Sequence, residues 1–199
     1  MSYLLHLKKD KILKPVVEKT GSISLNPGKN ICLNLCASII SQQLNTKVAA
    51  VIYDRFLKLV NSANPTPATI LAISHEKLRE AGLSNSKALY IKNVCHFFNE
   101  NKLTDNKIRK MSNEELVALL TQIKGVGRWT VEMILIFSLC REDVFSFGDF
   151  GLQKAMKKLY QIEHQNPKEL MTQISQIADN WKPYRSYACR YLWLYLDSE

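Results

Sequence analysis

The 199-residue chain is 46% hydrophobic and 23% charged, with 27 Lys and Arg against 18 Asp and Glu for a formal charge of +9. That length can bury a core in one domain or two small ones, and 7 Gly and 6 Pro exclude a collagen-like or low-complexity chain. No stretch approaches the ~18 uncharged apolar residues of a membrane span. The start MSYLLHLKKDK interrupts the apolar run a secretory signal needs, so a cytoplasmic protein is expected.

Residues 31–60 repeat apolar positions at three and four, predicting one long helix or two broken near Gln43–Asn45. SANPTPAT reads as a turn, with Thr66 or Thr69 as a cap. Short helices are predicted over 68–73 and 75–82, with Gly82 stopping the second, and an amphipathic helix over 87–101. Ser112 with Glu115 fits a capping box opening the next helix. An apolar helix over 130–140 follows IKGVGRW, and three more are predicted at about 149–160, 166–178 and 183–196. Only 21–26 and 143–147 suggest extended structure. About ten helices with short connections predict an all-α fold.

The basic balance suits a polyanion such as DNA, RNA or an anionic membrane surface, without conferring specificity. Cys32, Cys36, Cys95, Cys140 and Cys189 are odd in number, form no Cys-x-x-Cys pair and have no histidine at ligand spacing. Disulfide frameworks, zinc modules and cysteine-ligated iron–sulfur clusters are therefore disfavoured. No metal site is expected, and the thiols read as core residues in a reducing compartment.

The most informative segment is LLTQIKGVGRWTVEMIL. Gly125 and Gly127 stand between two helical patterns, where a tight turn needs positive φ or close backbone approach. Backbone amides opening the helix at Arg128 favour an anion and can hold a phosphate without reading bases. Lys124 and Arg128 add charge. Downstream, FSFGDFG sets Asp149 between two glycines at a helix start. Asp149 is either an ordinary N-cap or a carboxylate held at the mouth of a cleft. Two rival carboxylates are weaker, since Asp143 is expected to cap or pair, and Glu132 to face outward.

These residues resemble the helix-hairpin-helix DNA glycosylase superfamily, whose signature is an L-x-G-V/I-G hairpin followed by a catalytic Asp. Here Ile123, Lys124, Gly125, Val126 and Gly127 occupy the hairpin, and Asp149 follows. SIISQQLNTKVAA (38–50), LREAGLSNSKALYI (78–91) and DNWKPYRSYACRYLW (179–193) are similar to segments of the 3-methyladenine (AlkA-type alkylbase) branch. Lys124 and Asn45 depart from the family's usual Pro and Ser. The resemblance implies two helical lobes flanking a DNA-binding cleft, without the N-terminal β domain of longer members. One lobe would span 31–135 and hold the hairpin; the other would combine 1–30 with 136–199 and carry Asp149.

The same resemblance implies base flipping, with Gln43 or Leu44 filling the vacated stack or Leu44 instead packing in the core. Lys124, Gly125, Val126, Gly127, Arg128 and Thr130 would contact DNA. Trp129 and Tyr184 match base-stacking positions, Met133 lies one turn from Trp129, and Phe147 is a further pocket candidate. Strand-cleaving members carry a Schiff-base lysine where this chain has Trp129, so a monofunctional enzyme leaving an abasic site is expected. A cationic alkylated purine would be drawn to the indole face and would leave as a neutral molecule without a general acid. Ionised Asp149 would then stabilise the oxocarbenium-like sugar and orient or deprotonate the attacking water.

No organic cofactor is implied, while a monovalent cation on the hairpin carbonyls stays open. The expected partner is duplex DNA with a damaged base, bound by a monomer at the nucleoid, with no membrane. Two alternatives remain: a glycosylase for oxidised or mismatched bases, and a hairpin protein that binds DNA without catalysis.

Overall fold

Helix ends follow the short polar side chains of the sequence. Asn45, Thr66, Ser74, Ser84 and Thr104 each accept the backbone N–H three residues on. Ser112 and Glu115 close a reciprocal capping box. The computed structural model describes residues 2–62 and 64–198. Its helices are α1 (Ser2–Leu7), α2 (Lys14–Thr20), α3 (Ile31–Ser41), α4 (Thr46–Val60), α5 (Pro67–Leu71), α6 (His75–Glu80) and α7 (Asn85–Glu100). They continue with α8 (Asp105–Lys110), α9 (Asn113–Leu120), α10 (Arg128–Met133), a π-helical turn (Ile134–Ser138), α11 (Phe150–Tyr160), α12 (Pro167–Asp179) and α13 (Arg185–Asp197).

The fold is all-α, and the described residues contain no strand. The extended structure expected at 21–26 and 143–147 is corrected to irregular chain whose backbone polar groups are met by side chains. The Tyr3 hydroxyl donates to Ile23 O at 2.7 Å and accepts from Ile23 N at 2.8 Å. Tyr191 and Arg190 donate to the carbonyls of Gly21 and Ser24, at 2.7 and 2.9 Å. Val144 N–H donates to Ser186 Oγ at 3.0 Å. With those groups satisfied locally, no ladder is needed.

The long apolar pattern at 31–60 breaks at 42–45. Gln43 takes φ +56°, and Asn45 caps α4. Lys87 Nζ donates to the carbonyls of Ile40 and Gln42 at 2.9 and 2.6 Å, satisfying the end of α3. The apolar helix expected at 130–140 begins at Arg128 and widens after Met133, where Leu139 N–H reaches Ile134 O at 2.9 Å.

The chain divides into two compact units, Pro27–Leu139 and Met1–Asn26 with Cys140–Glu199. In the first, α3 packs on α4 and α7, and α5 also lies on α7. Ile31, Leu35, Ile39, Phe56, Ile70 and Ile91 are fully buried there. In the second, α13 packs on α11 and α2 around Leu152, Met156 and Leu192. Asp10 joins that core: its Oδ2 accepts from Tyr160 Oη at 2.6 Å and Trp181 Nε1 at 2.9 Å. Its Oδ1 caps Ile12 and Leu13 at 2.9 and 3.0 Å. No helix of the described residues is long and apolar enough to cross a membrane.

Candidate nucleic-acid and catalytic site

The hairpin joins α9 to α10 and is built on glycine for two different reasons. Gly125 takes φ +104°, and a Cβ there would lie 2.2 Å from Tyr90 Cγ, so α7 approaches too closely for any side chain. Gly127 is the N-cap of α10 at φ −93° and contributes no side-chain cap. A Cβ added to it would meet nothing within 4 Å, so the backbone that opens α10 stands bare. Gln42 Nε2 reaches both Gly125 O and Thr130 Oγ1 at 3.3 Å, and Asn93 Nδ2 donates to Lys124 O at 3.2 Å. Val126 N–H closes on Ile123 O at 2.9 Å.

Of the six hairpin residues predicted to meet DNA, Lys124, Gly127 and Arg128 are exposed and Gly125 half-buried, whereas Val126 and Thr130 are buried. The side chains of the last two anchor the turn rather than face solvent. Glu132 corrects the reading that it faces outward: it is buried, and its Oε1 pairs with Arg128 Nε at 3.0 Å. One turn of helix brings that guanidinium over the carboxylate, which offsets the cost of burying it.

Trp129 and Met133, both half-buried, line one apolar cavity of about 470 Å³ in the Pro27–Leu139 unit. Tyr53, Ala50 and Phe137 share the lining. The π-helical turn carries Phe137, 46% exposed, to this wall. Burial pushes the Tyr53 phenol above its ordinary value. Tyr53 was not foreseen, because on α4 it reads as one apolar position among many. Gln43 and Leu44 lie exposed in the turn before α4, so the core reading of Leu44 does not hold.

Asp149, in the other unit, is the N-cap of α11 and 9% exposed. Its Oδ1 accepts Leu152 N–H at 2.8 Å and Trp193 Nε1–H at 3.1 Å. A Cβ on Gly151 would lie 3.1 Å from Asp149 Oδ1 and 3.5 Å from Trp193, which explains that glycine. The loop before Asp149 is fixed from α13: Arg185 Nε and Nη2 clasp Asp143 at 2.6 and 3.1 Å, and Ser186 Oγ donates to Arg141 O. Asp143 is thus a paired anchor. Phe147 packs on Phe145 with ring centroids 4.8 Å apart, and Gln153 Nε2 donates to its carbonyl. Tyr184 sits in an aromatic group with Tyr3 and His6, and its hydroxyl donates to Ser2 at 2.7 Å. Neither belongs to the lining of the Trp129 cavity. Trp193 was missed, since nothing local ties it to a residue 44 positions away.

The family model described as "HhH-GPD superfamily base excision DNA repair protein" matches residues 36–180. The chain belongs to the HhH-GPD superfamily. Among HhH-GPD relatives, DNA-3-methyladenine glycosylase 1 of Schizosaccharomyces pombe is 37% identical over 161 residues, covering 80% of this chain and 69% of its own. YfjP of Bacillus subtilis is 33% identical over 168 residues, and the chain spans 57% of its length. In structure, S. pombe Mag1 in complex with abasic DNA matches with TM-score 0.87 and 32% identity, over 97% of this chain and 95% of that one. The DNA-3-methyladenine glycosidase of Bacillus halodurans matches with TM-score 0.81 and 35% identity, over 96% and 87%. The HhH-GPD assignment accords with a bare helix start held on two glycines.

Proposed function

We propose that this HhH-GPD protein is a monofunctional DNA glycosylase that excises alkylated purines from duplex DNA and leaves an abasic site. One observation carries the reading: an indole, Trp129, stands second after the hairpin's last glycine and lines an open apolar cavity with Tyr53, Met133 and Phe137. An indole cannot form a Schiff base, so strand cleavage by that route is closed. A ring face does attract a cationic base, by about 0.5–2 kcal/mol. The relatives named DNA-3-methyladenine glycosylases support the same substrate class.

The residues divide the work by chemistry. Gly127 and the start of α10, with Lys124 and Arg128, hold a backbone phosphate. Gln43 or Leu44 enters the stack as the base leaves it. Trp129 and Met133 receive the base. Asp149, aimed by Leu152 N–H and Trp193, stabilises the sugar cation and takes the proton of the attacking water. The carbonyls of Lys124 and Gly125 each accept one side-chain N–H and keep a second lone pair. That all-oxygen donor set suits a hard monovalent cation, which we include in the proposal. The protein works as a monomer in a reducing intracellular compartment.

The test is incubation of the chain with N-methylated duplex DNA and detection of free base. Release of 3-methyladenine or 7-methylguanine, with no borohydride-trapped adduct, is expected. No released base, or a trapped adduct, overturns the proposal.

A further inference from the structure

Three thiols that the glycosylase reading does not use converge in the core of the Pro27–Leu139 unit. Cys32 and Cys36 stand one turn apart on α3, and Cys95 comes from α7, 63 positions after Cys32. The three Sγ atoms lie within 4.8 Å of one another, and those of Cys32 and Cys95 are 3.9 Å apart. Trigonal coordination with metal–sulfur bonds of about 2.3 Å holds its sulfurs about 4.0 Å apart. The cluster thus already has nearly the spacing that a central ion demands. Cys36 and Cys95 are fully buried and Cys32 nearly so. A sulfur-only donor set selects soft ions over magnesium or calcium.

We propose that Cys32, Cys36 and Cys95 form a three-thiolate site for a soft d10 metal ion, clamping α3 to α7.

Lys92 brings a positive charge to the cluster. Lys92 stands one turn before Cys95, where its ammonium also holds the carbonyls of Leu71 and Ile73. A divalent ion on three thiolates leaves one net negative charge, which that ammonium offsets. As each metal–sulfur bond forms, the thiol proton leaves to solvent. Both clamped helices also bear on the hairpin, α7 through Tyr90 and Asn93 and the end of α3 through Gln42. Occupancy therefore stiffens the support on which the phosphate-holding turn rests.

Because the sulfurs are buried, the ion enters as the chain folds. The test refolds the reduced full-length chain with excess Cd²⁺, removes free ion, and counts bound cadmium by native mass spectrometry. The thiolate-to-cadmium absorption band is recorded alongside. One cadmium per chain and a raised Tm are expected, with the same result for Cys140→Ser. In Cys95→Ser the affinity should fall more than about 100-fold, since losing a ligand outweighs the loss of an outer-shell partner. If Cys95→Ser does not refold, Cys36→Ala and Cys95→Val pose the same question with apolar replacements. A wild-type chain that retains no cadmium, or a Cys95 or Cys36 variant that holds cadmium as tightly as the wild type, overturns the proposal. Base release does not enter the readout, so this result is independent of the glycosylase assignment.

Discussion

The indole N–H of Trp193 donates to Asp149 Oδ1 at 3.1 Å, on the oxygen that also accepts Leu152 N–H at 2.8 Å. The carboxylate is therefore oriented by one donor of its own helix and one from α13. Trp193→Phe keeps the aromatic packing and removes only the α13 donor. Misorientation of a catalytic group costs on the order of 100-fold or less in rate. Trp193→Phe should therefore lower single-turnover base release while leaving affinity for abasic DNA unchanged. A parallel loss in both would make Trp193 structural rather than positioning.

Asp149→Asn retains an N-cap oxygen, so α11 should stay formed. On the proposed mechanism it removes the charge that would stabilise the sugar cation. Base release should be abolished, with abasic-site affinity preserved in a fluorescence anisotropy titration. Near-normal turnover would remove Asp149 from the mechanism.

Trp129→Ala deletes the ring face that, on the proposed function, receives a cationic base. Loss of about 0.5–2 kcal/mol corresponds to about 2- to 30-fold in kcat/KM. The loss should be larger for 7-methylguanine than for a neutral substrate such as hypoxanthine. Equal losses for both would show that shape alone matters at this wall.

The two hairpin glycines should respond to very different degrees. Gly125→Ala meets Tyr90 at 2.2 Å and forces a side chain to φ +104°. Destabilisation on the order of 3 kcal/mol is expected from strain and overpacking. Tyr90→Ala in the same chain should relieve the contact but not the strained φ. Gly127→Ala has open space and ordinary φ, so it should change stability by less than about 1 kcal/mol. Urea denaturation of the four proteins checks each term.

Tyr187 predicts an alkaline limit on stability. Burial first, and then its hydrogen bond to Glu142 at 3.0 Å, pushes its phenol up to about 12. In the unfolded chain the value is about 10. The folded state thus holds the proton longer, and this contribution is intact below about pH 10 and lost as pH climbs through about 12. Tyr187→Phe should flatten the fall of the urea midpoint across that window. An unchanged slope would assign the alkaline loss to other groups.

What the sequence disclosed was chiefly local. The box of Ser112 and Glu115, the break at 42–45 and the stop at Gly82 all act within a turn of where they are read. The short helices α1, α2 and α8 went unread, because six or seven residues span too few turns to carry a clear period. The π-helical turn was equally hidden, since ILIFS is apolar whichever way the helix is wound. The hairpin turn and the helix start at Asp149 were legible from glycine placement. Trp193 and the triad of Cys32, Cys36 and Cys95 were not, since they depend on pairings 44 and 63 positions apart. Glu132 was misplaced although its partner Arg128 stood four residues away, in plain reach of an i, i+4 argument.

The wide turn at Ile134–Ser138 has a bearing on how this protein can change. It spends one residue more per turn than its neighbours and thereby presents Phe137 to the cavity wall. Deleting a single residue there would wind the segment back to ordinary pitch and rotate the following positions by about 100°. A different side chain would then close the chamber, with no alteration to the chemistry of any residue around it. The shape of this cavity can therefore drift by length as readily as by substitution, and gap-free comparison of sequences would overlook it.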